Sequence, residues 1–173
     1  MKSIVIIGFQ GSGKSEIARC LGEKRKIQII EFGDALKKIY KENESKKKLI
    51  SFANNIFKHK KESIICNEAL QSICTNSQVI VFVGIRTKRE LYYIKKNVDI
   101  DLVVGISCKF VKRFYRRKKQ KKKSDGFIQR ELCEKWWRRG TYLFDECDIV
   151  VNNNKNGAVN MIKMLKKMEW KNE

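Results

Sequence analysis

The chain has 173 residues, of which 42% are apolar, enough for one hydrophobic core and too many for a disordered tail. Its 39 Lys and Arg against 19 Asp and Glu leave a net charge of +20, which points toward phosphorylated ligands, nucleic acid or anionic lipid as partners. No apolar run approaches the roughly 20 residues of a membrane-spanning helix, and glycines interrupt the short apolar start at once, so an intracellular protein without a membrane partner is expected.

Residues 3–7 are a short apolar run and predict a first strand. Residues 16–23 then carry Ile17, Ala18 and Leu21 at helical spacing. A second strand is predicted over 27–32. Asp34 is placed to cap a helix running to about residue 42, with Ala35, Leu36 and Ile39 turned inward. Further helices are predicted over 49–57 and 63–73. The unbroken apolar run over 79–83 suits a strand buried on both faces. A helix over 87–96, a fourth strand over 102–107 and a basic helix follow. The pattern closes with a helix over 125–139, a fifth strand over 148–151 and a final helix over 157–168. Strands alternating with helices predict a three-layer α/β/α fold on a five-stranded parallel sheet. No repeat or linker divides the chain, so residues 1–173 are read as one domain.

The six cysteines are scattered, with no CxxC pair, and the chain has one histidine. Zinc sites need paired ligands at short spacing, so the cysteines read as reduced and mostly buried. His59 sits among lysines and reads as a solvated side chain.

The sharpest signal is Gly8-Phe9-Gln10-Gly11-Ser12-Gly13-Lys14-Ser15, which matches the P-loop pattern GxxxxGK(S/T) at every fixed position. Glycine permits a tight backbone turn that brings successive N–H groups toward one point. Those amides and the positive end of the following helix hold phosphates. In this reading Gly8, Gly11, Ser12, Gly13, Lys14, Ser15 and Glu16 form the ATP site. Lys14 reaches the β and γ phosphates, and the Ser15 hydroxyl is a ligand of Mg2+. The pattern follows a predicted strand and opens a predicted helix, as its mechanism requires. A GTPase would also need a guanine-reading NKxD, which is absent.

With that loop in place, the chain resembles the small nucleotide kinases: adenylate-kinase-like enzymes, phage-type deoxynucleoside monophosphate kinases, and dephospho-CoA kinases. Three further segments carry the likeness. Glu31-Phe32-Gly33-Asp34-Ala35-Leu36-Lys37 is similar to the FAxPLK or GDxLR segment that faces the acceptor. Val83-Gly84-Ile85-Arg86 with Glu90-Leu91 is similar to the DGxR…EL stretch after the third strand. Asp148-Ile149-Val150-Val151-Asn152-Asn153 resembles the strand whose following loop lies near the adenine, so Asn153 joins the nucleotide-binding set. The resemblance implies strand order 2-3-1-4-5, acceptor-side helices over about 34–76 and a helical lid over about 109–140. It also implies lid arginines at Arg113, Arg116, Arg117 and Arg130, with Arg138 and Arg139 as helpers. Ligands of open parallel sheets bind beyond the strands' C-terminal ends, which places Gly8, Asp34, Arg86 and Asn153 around one crevice. Arg86 suits a bidentate grip on an acceptor phosphate. Asp34 suits orientation of the attacking hydroxyl or holding a magnesium-bound water.

One departure stands out. Val83 occupies the strand-three position where many P-loop enzymes carry an acid that supports the metal. Either Asp34 serves instead, or the metal relies on Ser15 and water, or catalysis is weak. The function expected is an ATP-dependent phosphotransferase acting on a small phosphorylated acceptor, a nucleoside or deoxynucleoside monophosphate. Dephospho-CoA kinase is the sister alternative. A nucleotide-binding regulatory or nucleic-acid-binding protein is the alternative from another class. It draws on Val83 and on residues 112–123, where nine of twelve side chains are basic.

Overall fold

The computed structural model describes residues 1–22, 26–42, 48–119, 124–137, 143–155 and 159. The final helix predicted over 157–168, the helper arginines Arg138 and Arg139, and the lysines 121–123 lie outside these residues, as do the side chains of Trp136 and Trp137. In chain order the elements are β1 (Lys2–Gly8), α1 (Lys14–Gly22), β2 (Ile27–Glu31), α2 (Phe32–Glu42), α3 (Leu49–Lys58), α4 (Ser63–Gln71), β3 (Val79–Val83), α5 (Lys88–Asn97), β4 (Leu102–Ser107), α6 (Phe110–Lys119), α7 (Ser124–Trp137), a 3-10 turn (Leu143–Glu146) and β5 (Ile149–Asn152).

The five strands form one sheet in the order β2-β3-β1-β4-β5, and every pairing is parallel. The expected order and fold class therefore hold. Side chains alternate across a strand, and both faces of this sheet are covered. On one face Val5, Ile7, Ile80 and Phe82 pack with Leu36, Ile39, Ala53, Ile65 and Leu91 from the helices. On the other, Ile4, Ile6, Val79, Val81 and Val83 pack against Ile17, Ala18 and Leu21 of α1. This explains why the central strands are unbroken apolar runs rather than alternating ones.

Register aligns the strand ends. Ile6 sits opposite Val83, which sits opposite Glu31. Gly8 sits opposite Ile106. The C-terminal rims of β1 to β4 thus open on one side of the sheet.

Two local expectations are corrected. The helix expected to start at Asp34 begins at Phe32, so Asp34 lies in its first turn and is not its cap. The first turn lies at the helix's positive end, which favours an acid there. The cysteines are free among the described residues, but only Cys66 is buried and Cys74 is exposed. Burial pushes the Cys66 thiol well above its usual range, aided by the charges of Glu90 and Glu62, so it behaves as an inert core side chain. No described helix is long and apolar enough to cross a membrane.

Candidate functional site

A cleft of about 950 Å³ opens over the strand ends. Among the predicted residues, Gly8, Gly11, Gly13, Lys14, Ser15, Glu16, Arg86, Arg116, Arg117, Arg130 and Asn153 line it. Eight basic side chains face it (Lys14, Lys37, Arg86, Arg116, Arg117, Lys119, Arg130, Lys155) against three acidic ones (Glu16, Glu31, Glu134). Such an excess inside a concave surface selects anions.

The loop between β1 and α1 builds one wall. Gly11 and Gly13 hold φ of 77° and 102°, in the left-handed region that glycine enters without strain. The Ser12 amide donates to the Phe9 carbonyl at 3.1 Å, closing the turn. The Lys14 ammonium donates to the same carbonyl at 2.9 Å, which arches its side chain over the loop. Ser12 itself is fully buried beneath the loop rather than on the cleft wall. Ser15 and Glu16 occupy the first turn of α1, beside its positive end. Glu16 is exposed and pairs with Arg19 at 2.6 Å.

The opposite wall is built from the β3–α5 connection and α7. Thr87 caps α5 with a reciprocal capping box: its hydroxyl accepts from the Glu90 amide, and Glu90 accepts from the Thr87 amide. Glu90 also accepts from the Arg86 amide at 2.6 Å. These bonds fix the backbone from which Arg86 enters the cleft. Glu90 is fully buried, and that burial raises its pKa against the opposing charge of Arg86 and its backbone bonds. Thr87→Ala removes one side of the box and is expected to lower stability by about 1 kcal/mol in urea unfolding.

Arg86 is buried, with its Nε 4.0 Å from Glu134 on α7. Arg130 stands one turn before Glu134 on the same helix. Burial holds its guanidinium below the ordinary arginine range, and the charges of Arg86 and Arg117 push the same way while Glu134 opposes them. Burial also lowers Arg117. Three guanidiniums therefore crowd one region of the cleft, close enough for their charges to oppose one another, an arrangement that an incoming dianion would relieve.

Two predicted residues are placed elsewhere. Asp34 is 67% exposed at its side chain, pairs with Lys37 at 2.6 Å and does not line the cleft. The reason is register along α2: its inward stripe is Ala35, Leu36 and Ile39, and Asp34 falls on the outer face. Arg113 is 3% exposed and forms a bidentate pair with Glu131 at 2.7 Å on both oxygens. Its guanidinium lies over Phe9, Phe110 and Phe127, with centroid distances of 4.9 to 5.9 Å. It is committed to the interior rather than to the cleft. Asn153 lines the cleft, and its amide donates to the Ser12 carbonyl at 2.8 Å.

Glu31 and Glu134 were not singled out by sequence reasoning. Glu31 had a readable signal: it is the last residue of a strand beside Val83. Glu134 had none, because its partner Arg86 is 48 residues away and meets it only in the fold.

A family model described as an AAA domain matches residues 4–137. The chain is 30% identical over 167 residues to a UPF0200 protein of Methanococcus maripaludis, covering 88% of each. It is 29% identical over 185 residues to one of Methanococcus vannielii, covering 97% of each. The solved structure of TT1252 from Thermus thermophilus superposes with a TM-score of 0.60 at 15% identity, over 95% of this chain and 96% of that one. A shikimate kinase from Bacteroides thetaiotaomicron superposes at 0.57 and 12% identity, over 96% and 97%. The fold is that of the P-loop kinases.

Proposed function

This chain belongs to the AAA domain family and to the UPF0200 proteins, and from that premise we propose that it is an ATP- and Mg2+-dependent phosphotransferase acting on a small phosphorylated acceptor, a nucleoside or deoxynucleoside monophosphate. The observation that carries this reading is the pairing of two walls in one cleft: a phosphate-binding loop on one side, and Arg86, Arg117 and Arg130 converging on the other. The left-handed glycines fit a tightly turned phosphate loop, because a side chain at either position would be strained and would press on Arg113 or Asn153 packed against the loop. In the proposed reaction the bond from the γ-phosphorus to the ADP oxygen breaks. A new bond forms to an oxygen of the acceptor's phosphate, and no proton need move when that group is a dianion. Lys14 would offset charge on the β and γ phosphates. Arg86 and Arg130 would hold the acceptor's phosphate in line, and Arg117 would neutralise charge between donor and acceptor.

The carboxylate expected at Asp34 is reassigned to Glu31. It lines the cleft with Ser15, one strand away from Val83. The Ser15 hydroxyl and Glu31 offer hard oxygen donors suited to Mg2+ or its waters. When bound, the ion would supply charge neutralisation at the phosphates.

A second reading is favoured by one surface. Six of the ten residues of α6 are basic and none is acidic. Lys112, Lys118 and Lys119 are exposed around Tyr115, which is 60% exposed. That face suits nucleic-acid phosphates. Phe114, however, packs with Phe110 and Phe127 and so offers no continuous stacking platform.

One assay separates these readings: ADP release with Mg-ATP against the eight common NMPs and dNMPs, dephospho-CoA and a 5′-hydroxyl oligonucleotide. A monophosphate is expected to stimulate release. Stimulation by dephospho-CoA alone would move the assignment to that kinase. No stimulation, together with oligonucleotide binding that weakens steeply with salt, would favour the second reading.

A further inference from the structure

The phosphate-binding loop is gripped from behind by α6. Arg113 Nη1 donates to the Gln10 carbonyl at 3.0 Å, and its Nε donates to the Cys108 carbonyl at 3.0 Å. One turn later, Arg116 Nη2 donates to the Asn153 carbonyl at 2.7 Å, and the Asn153 amide passes the contact on to the Ser12 carbonyl at 2.8 Å. The loop has no slack against these groups. A Cβ on Gly11 would lie 3.2 Å from the Arg113 carbonyl oxygen, and one on Gly13 would lie 2.6 Å from the Asn153 amide nitrogen.

Peptide planarity turns these contacts into a statement about the cleft. In a trans peptide the carbonyl and the next residue's N–H point in opposite directions, and the described chain contains no cis bond. Drawing the Gln10 carbonyl toward Arg113 therefore aims the Gly11 N–H away from α6. Drawing the Ser12 carbonyl toward Asn153 aims the Gly13 N–H away from β5. Both glycines line the cleft.

We propose that α6 is a fixed brace that presets the phosphate-binding amides, with Arg113 as a positioning residue held in place by Glu131, instead of a lid arginine that closes on substrate. The inference rests on the triphosphate reading of the loop. Glu131 orients Arg113 bidentately from α7, 18 residues away, so the same pair also ties the helix that carries Arg130 and Glu134 to the loop. A preset loop binds phosphate without spending binding energy on ordering its backbone. Arg113 does not line the cleft, and neither does Glu131, so each can act on a bound triphosphate only through this brace.

The test is calorimetric titration of the full chain with Mg-ATP, which reads binding and needs no acceptor. Arg113→Lys keeps the charge but cannot span Glu131, Gln10 and Cys108 together. It is expected to weaken Mg-ATP binding by about tenfold or more, the equivalent of one lost charge-assisted hydrogen bond. Glu131→Gln, which removes the counter-charge and leaves one acceptor oxygen at that position, is expected to weaken it in the same direction. Ile65→Val, in the helical core away from the cleft, serves as a stability control and is expected to lower the melting temperature while binding Mg-ATP as the unaltered protein does. Undiminished affinity in Arg113→Lys and Glu131→Gln, or an equal loss in Ile65→Val, would overturn the brace. Failure of the unaltered chain to bind Mg-ATP would instead overturn the triphosphate reading, and the brace with it.

Discussion

Lys14→Ala is expected to lower the turnover of Mg-ATP by about 10²–10³-fold or more while leaving the chain folded. The ammonium is the one cation in the loop itself, and its side chain already arches back to the Phe9 carbonyl, which places it above the loop's amides. Removing a preorganised group that stabilises charge developing on the phosphates typically costs this much in rate. Stability should change by about 1 kcal/mol or less, because the Lys14 hydrogen bond to the Phe9 carbonyl is only partly buried. ADP release and urea unfolding on the same preparation read the two quantities separately. Turnover equal to that of the unaltered protein would remove the loop from the chemistry.

The second large effect is expected at Arg86. Arg86→Lys should lower kcat/KM for the acceptor by about 100-fold while the KM for ATP stays within about threefold. A lysine keeps a positive charge near Glu134, which lies 4.0 Å from the guanidinium, so the buried carboxylate is not left without a counter-ion. The backbone geometry also persists, since Glu90 accepts from the Arg86 main-chain amide, which the substitution leaves in place. What disappears is the planar fork that can hold two phosphate oxygens at once. Steady-state kinetics with the acceptor varied at saturating ATP, and then the reverse, locate the loss. A rise in the KM for ATP with the acceptor's unchanged would place Arg86 on the donor side and refute the assignment.

The lid expectation illustrates how a pattern can be right about elements and wrong about side chains. A basic helix follows β4, as α6 shows, and α7 comes after it. Yet of the arginines assigned to the lid, Arg116, Arg117 and Arg130 line the cleft and Arg113 is interior. All four carry the same charge and lie on the same pair of helices. Their allocation follows from which carboxylates α7 brings close: Glu131 reaches Arg113, while Arg130, one residue earlier, faces the other side of the helix. A rotation of about 100° per residue separates those fates, and only the packing of α7 on α6 sets the starting angle.

What the sequence determined by itself is what short-range chemistry controls. The spacing of glycines around Gly11 and Gly13, followed at once by Lys14 and Ser15, dictates a phosphate-binding turn because backbone dihedrals and helix ends are local properties. The unbroken apolar runs at β1, β3 and β4 dictate buried parallel strands, because a face exposed to water would not tolerate them. Only the tertiary structure decided the rest. It turned Asp34 outward and offered Glu31 in its place. It also set Glu134 beside Arg86, and Arg113 behind the loop. Each of these depends on where a side chain lands after helices pack, and the partners are separated by up to 103 residues of chain. A buried charge must find its counter-charge wherever the fold has placed one, and that requirement acts through space and not along the chain.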